Sequence, residues 1–97
     1  MSNREPIRHL IESDQVVNQL ASIEHERWAH WQRYVHDQCE QLEDGSLVIP
    51  AQLVTRWELQ IKTPYEELSD QERRSDREQV YRYLSLIIEA IERRCSH

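Results

Sequence analysis

The scarcity of residues that interrupt helices is the strongest constraint on how this chain can fold. Its 97 residues include a single glycine, Gly45, and only three prolines. Glycine and proline are the main breakers of regular structure, so their near absence favours long helices. The sequence therefore predicts one all-α domain over residues 1–97. We expect a compact bundle of about three main helices, with one or two short helical turns and an extended connector.

Apolar residues recur every three or four positions in three segments, which is the spacing of one helix face. Asp14 is the expected N-cap of the first long helix, which follows a short helix opened by Pro6. Because Trp31 continues the first stripe and Trp57 lies in phase on the next helix, we expect both rings in the core. The first stripe comprises Val16, Val17, Leu20, Ile23, Trp31, Tyr34, Val35, Cys39 and Leu42.

Gly45 ends this pattern, and we expect residues 47–49 to form the extended connector, with their side chains in the core. A second helix should have Pro50 in its first turn and should end before Pro64. The segment Ser69-Asp70-Gln71-Glu72 has the pattern of a capping box, with serine at the cap and glutamate three residues later. The last helix then carries a stripe of Val80, Leu84, Ile87, Ile88, Ile91 and Cys95.

The composition narrows the classes of partner. A net charge of −6 argues against a nucleic-acid binder, because phosphate neutralisation requires a basic surface. The N-terminus lacks the apolar region of a secretion signal, and no apolar run approaches about 18 residues. We therefore expect a cytoplasmic protein with no membrane contact. A chain of this length buries a small core, which fits a homo-oligomer as well as a monomer.

The segment His25-Glu26-Arg27-Trp28-Ala29-His30 resembles a zinc-binding HExxH motif but has one residue too many. Five helical steps place the two histidines about 140° apart, so one metal ion cannot be chelated by both. Cys39 and Cys95 show no metal-ligand spacing, and a glycine-rich phosphate loop is missing. We therefore predict no metal, no cofactor and no catalysis. A hydrolase that uses His25 and Glu26 is the least favoured alternative.

Aromatic and arginine side chains are better candidates for a binding role. His25 and Trp28 lie one turn apart and off the main apolar stripe, so they are either partly buried or a platform for a flat ring. Tyr65 follows a proline in a turn. The first turns of the last helix carry Arg73, Arg74 and Arg77, which either pair with nearby carboxylates or gather a phosphate beside the helix N-terminus. Further candidates are Arg56, Trp57 and Lys62.

Several of these residues resemble the ryanodine-receptor repeat (RyR) domain family in its small free-standing bacterial and phage form. The similarity covers about Ala21 to Ile88. It rests on His25-Glu26-x-Trp28, Pro64-Tyr65-Glu66-Glu67-Leu68-Ser69, Glu72-Arg73 and Asp76-Arg77. The family's glycine-tryptophan-x-tyrosine-glycine segment is replaced here by QCEQLEDGSLVIP. The resemblance implies a helical, non-enzymatic domain that recognises small, nucleotide-derived ligands in bacterial or phage signalling or defence.

Together, the residues and the resemblance predict a module that binds an ADP-ribose-like molecule. Trp28 would stack on the base, and Tyr65 and His25 would form hydrogen bonds. The phosphates would meet Arg73, Arg74 and Arg77. The alternative is a protein–protein interaction module without a small ligand, because tryptophan and arginine also dominate protein interfaces.

Overall fold

The computed structural model describes residues 4–95 of the chain. In this range the backbone is mainly helical, which confirms the predicted all-α class. The elements in chain order are α1 (Arg4–Ile11), α2 (Asp14–Gln38), β1 (Glu40–Gln41), β2 (Leu47–Val48), α3 (Ala51–Lys62), a 3-10 helix (Tyr65–Glu67) and α4 (Asp70–Cys95). Three main helices and two short ones are therefore present, as expected. Among residues 4–95, no helix has both the length and the apolar character needed to cross a bilayer.

The described residues divide into two compact units. One unit comprises residues 4–27 and 76–95, and the other is the continuous segment Trp28–Ser75. The first unit contains α1, the N-terminal part of α2 and most of α4. The second contains the rest of α2, the two strands, α3, the 3-10 helix and the first turns of α4.

Polar contacts between α2 and α4 connect the helices of the first unit. The hydroxyl group of Tyr83 donates a hydrogen bond to Glu24. The guanidinium group of Arg82 donates to the carboxylate of Glu26 at 2.5 Å. From Glu24 to Glu26 along α2, the partner on α4 changes from Tyr83 to Arg82. The residue numbers therefore run in opposite directions along the two helices, as in an antiparallel pair. These contacts therefore define how the two helices align.

The apolar core of the first unit is small. Its buried residues are Val16 of α2 and Ala90 of α4. These are the buried apolar residues of the described part of the chain, with exposed fractions of 3% and 4%. Val16 and Ala90 are therefore the positions of α2 and α4 that lose most of their surface to neighbouring residues.

The buried side of α4 differs from the stripe that the sequence predicts. Ala90 lies at the centre of the buried side, whereas half of the predicted stripe is exposed, namely Val80, Leu84 and Ile88. The prediction is wrong for these three residues, because the apolar arc of α4 is wider than its contact within the unit. The side chain of Cys95 lies outside the described residues.

The N-terminus of α2 is capped by Ser13, so the prediction of Asp14 as the cap is wrong. The hydroxyl oxygen of Ser13 accepts a hydrogen bond from the backbone N–H of Val16 at 3.3 Å. Asp14 is instead the first helical residue. An acidic side chain at that position still complements the positive end of the helix dipole.

The ends of α3 and α4 follow local sequence signals closely. Pro50 precedes α3 as its cap rather than standing inside the first turn, and Thr63 leaves the helix with an extended backbone before Pro64. At the start of α4 the capping box is confirmed. The N–H of Glu72 donates to the Ser69 hydroxyl at 3.1 Å, and the N–H of Ser69 donates to the Glu72 carboxylate at 3.3 Å.

A short β-hairpin joins α2 to α3, and the sequence did not predict it. Helix α2 stops at Gln38, and residues 40–41 pair antiparallel with residues 47–48. The loop is closed by the Gly45 N–H, which donates to the carbonyl of Leu42 at 3.0 Å, and Gly45 has a φ of +91°. This arrangement is typical of a three-residue hairpin loop with a glycine bulge. Two predictions are therefore wrong: Leu42 lies outside the helix, and residues 47–49 are exposed.

Candidate functional site

Three aromatic rings form a cluster in the second unit. Trp31 stacks on Tyr34 with a centroid distance of 5.5 Å, and it meets Trp57 edge-on at 5.8 Å. The sequence predicts Trp31 and Trp57 in the core. Trp31 is instead 43% exposed, whereas Trp57 is half-buried. The core prediction is wrong for Trp31, whose ring belongs to a surface cluster.

The ring cluster forms the wall of a cavity of about 260 Å³. Its wall is completed by the polar side chains of His30, Arg56, Gln60 and Ser75. Arg56 makes no ion pair or side-chain hydrogen bond with another residue in the described range 4–95. A guanidinium group thus stands beside three rings without a carboxylate in contact with it. We call this cavity the aromatic groove.

A second cavity of about 410 Å³ shares Arg56, Gln60 and Ser75 with the aromatic groove. The amide nitrogen of Gln60 donates a hydrogen bond to the Glu72 carboxylate. Hydrogen bonds from Ser69 and from Gln60, and the charge of Arg56, lower the pKa of Glu72 from its ordinary value. The wall of this polar cavity therefore carries an ionised carboxylate. Glu67 adds a second acidic side chain.

A third cavity of about 530 Å³ is mainly apolar. Trp31 and Trp57 belong to its wall as well as to the aromatic groove. Its other apolar residues are Val35, Ile49 and Ile61. Ile61 is 76% exposed, so this side of α3 presents a large aliphatic side chain to solvent.

The structure places the sequence-predicted binding residues in several environments. Arg56 and Trp57 both line the aromatic groove. Lys62, Tyr65 and Arg74 belong to the same unit but line none of the three cavities.

Arg73 takes the structural role that the sequence offered as an alternative. Its guanidinium group forms an ion pair with Asp70. It also donates to the backbone carbonyl of Glu66 at 3.2 Å. Arg73 thus connects the first turn of α4 to the 3-10 helix. Its donors are directed at the protein itself.

The remaining predicted residues are divided between the two units. His25 and Arg77 belong to residues 4–27 and 76–95, whereas Trp28 is the first residue of the other unit. Trp28 is exposed. None of these three residues lines the cavities of about 260, 410 or 530 Å³. Their proposed action on a single ligand stays a prediction.

The residues just before Trp28 on α2 form structural contacts that the sequence did not predict. The Glu24 carboxylate accepts hydrogen bonds from Arg27 and from the hydroxyl of Tyr83, and these contacts lower its pKa to about 2. The same contact with Glu24 raises the pKa of the Tyr83 hydroxyl and that of Arg27. Glu26 is engaged by Arg82. The spacing of Glu24 and Arg27 predicts their pairing, but nothing local points to α4.

Five residues of the aromatic groove were not among the predicted binding residues: His30, Trp31, Tyr34, Gln60 and Ser75. One signal for them is present in the sequence. Trp31 and Tyr34 are three residues apart on α2, and Arg56 and Gln60 are four apart on α3, so each pair shares a helix face. No local signal indicates that these two faces meet.

Residues 4–95 contain no candidate metal centre, because no three His, Cys, Asp or Glu side chains are grouped closely enough to hold an ion.

The comparisons with known proteins give no relative. No protein-family model, no curated protein and no solved structure matches this chain. The resemblance to the RyR family stays a prediction, and the geometry of the second unit is the basis for a functional proposal.

Proposed function

We propose that this protein binds a nucleotide-derived small molecule of the ADP-ribose type in the aromatic groove, without catalysing a reaction. One observation carries the proposal: Arg56 lies beside three clustered rings on the wall of a single cavity. The proposal keeps the ligand class that the sequence predicts but assigns it to different residues. Of the candidates named from the sequence, the proposed site includes Arg56 and Trp57, which were given there as further candidates.

The rings account for recognition of a base. Stacking of a nucleobase on an aromatic side chain contributes about 1–3 kcal/mol and tolerates different bases. Trp31 is a surface ring already oriented by Tyr34 and Trp57. A ring that neighbouring rings hold in place loses little conformational entropy on binding. The groove volume of about 260 Å³ suits a single flat ring rather than a whole dinucleotide.

Arg56 accounts for recognition of a phosphate. Guanidinium groups bind phosphate oxygens through paired, charge-assisted hydrogen bonds. Because Arg56 has no ion pair with another described residue, binding a phosphate would not require an existing pair to break. His30 lines the same cavity and adds a ring nitrogen as a possible hydrogen-bond partner.

The polar cavity favours a sugar over additional phosphates. Its wall includes the carboxylates of Glu67 and Glu72 and the amide of Gln60. Carboxylates accept hydrogen bonds from hydroxyl groups but repel phosphate oxygens. A ligand that extends from Arg56 into this cavity should therefore carry a polyol rather than a triphosphate. ADP-ribose ends in a ribose beyond its two phosphates, whereas ATP ends in a triphosphate.

A titration followed by tryptophan fluorescence tests the ligand class. We expect saturable quenching by ADP-ribose or one of its cyclic derivatives, because Trp31 and Trp57 line the groove. ATP should bind more weakly than ADP-ribose at the same ionic strength, because the carboxylates of Glu67 and Glu72 repel phosphate oxygens. A flat response to every nucleotide in the panel would overturn the proposal.

Substitutions measured by calorimetry then locate the site. Arg56→Gln should weaken affinity about tenfold or more, because a charge-assisted hydrogen bond is lost. Lys62→Gln is the matched control: it removes a positive charge from the same helix outside the three cavities. Trp57→Leu should weaken binding about tenfold, and Trp28→Leu should not. The reverse order for the two tryptophans would return the site to the residues predicted from sequence. Circular dichroism confirms that each variant is folded.

The apolar cavity supports a second candidate function, which is protein binding. Ile61 is largely exposed beside Trp31 and Trp57, and exposed aromatic and aliphatic groups of this kind occur at the centres of protein interfaces. This candidate becomes the leading one if the nucleotide titration is flat. If the ligand proposal is correct, Ile61→Lys should leave the affinity for ADP-ribose unchanged, since Ile61 does not line the aromatic groove.

The biological role that follows is that of a sensor or a sponge. The resemblance to the RyR family supports a binding domain in bacterial or phage signalling or defence, and a small binder without catalysis would either report or sequester its ligand. A turnover measurement distinguishes a sensor or sponge, which leaves its ligand intact, from the hydrolase alternative. ADP-ribose incubated with the protein should be recovered intact, and Glu26→Gln should not change that result.

A further inference from the structure

Helix α4 has a second apolar side that its own unit leaves exposed. Tyr81, Leu84 and Ile88 are between 42% and 60% exposed. Their spacing of three and then four residues is that of a helix–helix seam. Leu84 lies six residues from the buried Ala90, which corresponds to about 120° around the helix. The seam is therefore a separate surface and not the margin of the buried side.

The charges at the two ends of this seam are opposite. Arg77 precedes Leu84 by seven residues, and Glu92 follows it by eight. At about 1.5 Å per residue, these side chains lie about 10 and 12 Å from Leu84 in opposite directions along the axis. Neither forms an ion pair with another residue of the described range. A partner for this seam should be acidic near Arg77 and basic near Glu92.

A second copy of the same helix in the opposite direction meets this requirement. A two-fold axis at Leu84 would place Leu84 against its equivalent and Val80 near Ile88 of the other copy. The same axis would bring Arg77 within about 2 Å of Glu92 of the other copy along the helix direction, on the same side of the seam. Both ends of the seam would then gain an ion pair.

The small core gives an independent reason for self-association. Only Val16 and Ala90 are buried among the apolar residues of the described part of the chain. Small domains bury a limited fraction of their surface and commonly gain stability by association. Covering Tyr81, Leu84 and Ile88 would add three large apolar side chains to a core of two.

We propose that the protein forms a two-fold homodimer through an antiparallel pair of α4 helices centred on Leu84. This proposal rests on residues 76–95 and is independent of the aromatic groove. The seam from Arg77 to Glu92 is about 22 Å long, so the contact is smaller than the typical value of about 800 Å² per partner. We therefore expect a reversible dimer whose population depends on protein concentration.

Sedimentation equilibrium of the full chain over a wide concentration range tests the proposal. The weight-average mass should rise from 11.8 kDa towards twice that value as the concentration increases. The dimer should weaken at high salt, because the two Arg77–Glu92 pairs are exposed and become screened. A constant mass of 11.8 kDa at all concentrations would overturn the proposal and leave the seam to a different protein.

Charge reversal tests the direction of the helices without altering the core. Arg77→Glu alone and Glu92→Arg alone should each weaken the dimer, and the double variant should restore it. Restoration requires the two residues to meet across the interface. A double variant that is weaker than both single variants would refute the antiparallel arrangement.

A second pair of variants tests the centre of the seam. Leu84→Arg should abolish the dimer, and Ser85→Arg is the matched control, because Ser85 is the exposed neighbour about 100° away around the helix. Helix content by circular dichroism establishes that both variants are folded. Equal dimerisation of the two variants would overturn the assignment to this surface, whatever the nucleotide titrations show.

Discussion

Replacing one of two adjacent valines by alanine tests whether α2 packs as the structure shows. Val16 is 3% exposed and Val17 is 48% exposed, although they are consecutive residues of the same helix. Val16→Ala and Val17→Ala make the same chemical change with the same effect on helix propensity. The difference between the two variants therefore measures burial alone.

The magnitudes follow from the carbons that each change removes. Two buried carbons at Val16 contribute about 1.6 kcal/mol, and the volume left behind raises the cost to about 2–3 kcal/mol. The higher helix propensity of alanine offsets about 0.5 kcal/mol of this loss in stability. Val16→Ala should therefore lower the free energy of unfolding by about 2 kcal/mol. At half-exposed Val17 the two effects nearly cancel, and the change should stay within about 0.5 kcal/mol.

Urea unfolding followed by circular dichroism at one fixed protein concentration measures both values. With a slope of about 1–2 kcal/mol per molar urea, the midpoint should fall by about 1–2 M for Val16→Ala and hardly move for Val17→Ala. Equal shifts would show that the buried side of α2 is not the one that contains Val16. A change in slope would instead indicate a loss of compactness, and the comparison would then be repeated at a second concentration.

Substitutions at three further positions test local features of the fold. Hydrogen bonds from Arg27 and Tyr83 lower the pKa of Glu24 from 4.5 to about 2. The ionised carboxylate therefore stabilises the fold above pH 4.5, and this contribution is lost as the pH falls towards 2. Because Glu24→Gln removes the carboxylate, the urea midpoint of this variant should depend less on pH over that range. Gly45→Ala should cost about 1–2 kcal/mol in urea unfolding, because a φ of +91° strains a residue that has a Cβ atom, and Gly45→Asn should cost less. Ser69→Ala should cost about 1 kcal/mol and reduce helix content at the start of α4, and Ser69→Asp, which preserves a cap, should recover most of both.

The ends of α3 and the start of α4 could be located from the sequence, because local signals set them. Proline before and after α3, the single glycine in the loop and the capping box of α4 each act on backbone groups within a few residues. The capping error at Ser13 has the same origin, since two capping residues stand next to each other and only one is used. The hairpin was missed because each strand has two residues, too few to produce an alternating pattern.

The binding residues were harder to predict because they depend on which helix faces meet. Trp28 lies off the apolar stripe, which favours a binding role, whereas Trp31 continues that stripe, which favours the core. The structure instead clusters Trp31 with Tyr34 and Trp57 at the surface, with Arg56 on the wall of the same cavity. Periodicity identifies the apolar side of a helix but not how much of that side a neighbour covers.

The helical class, the end of α3 before Pro64 and the cap of α4 follow from the sequence, because they depend on backbone conformation and on hydrogen bonds between near neighbours. Tertiary packing sets the contact between Tyr83 and Glu24, the contact between Trp57 and Trp31, and the exposure of Leu84. These outcomes depend on contacts between residues far apart in the chain. Such contacts arise from the packing of whole helices, which no local pattern encodes.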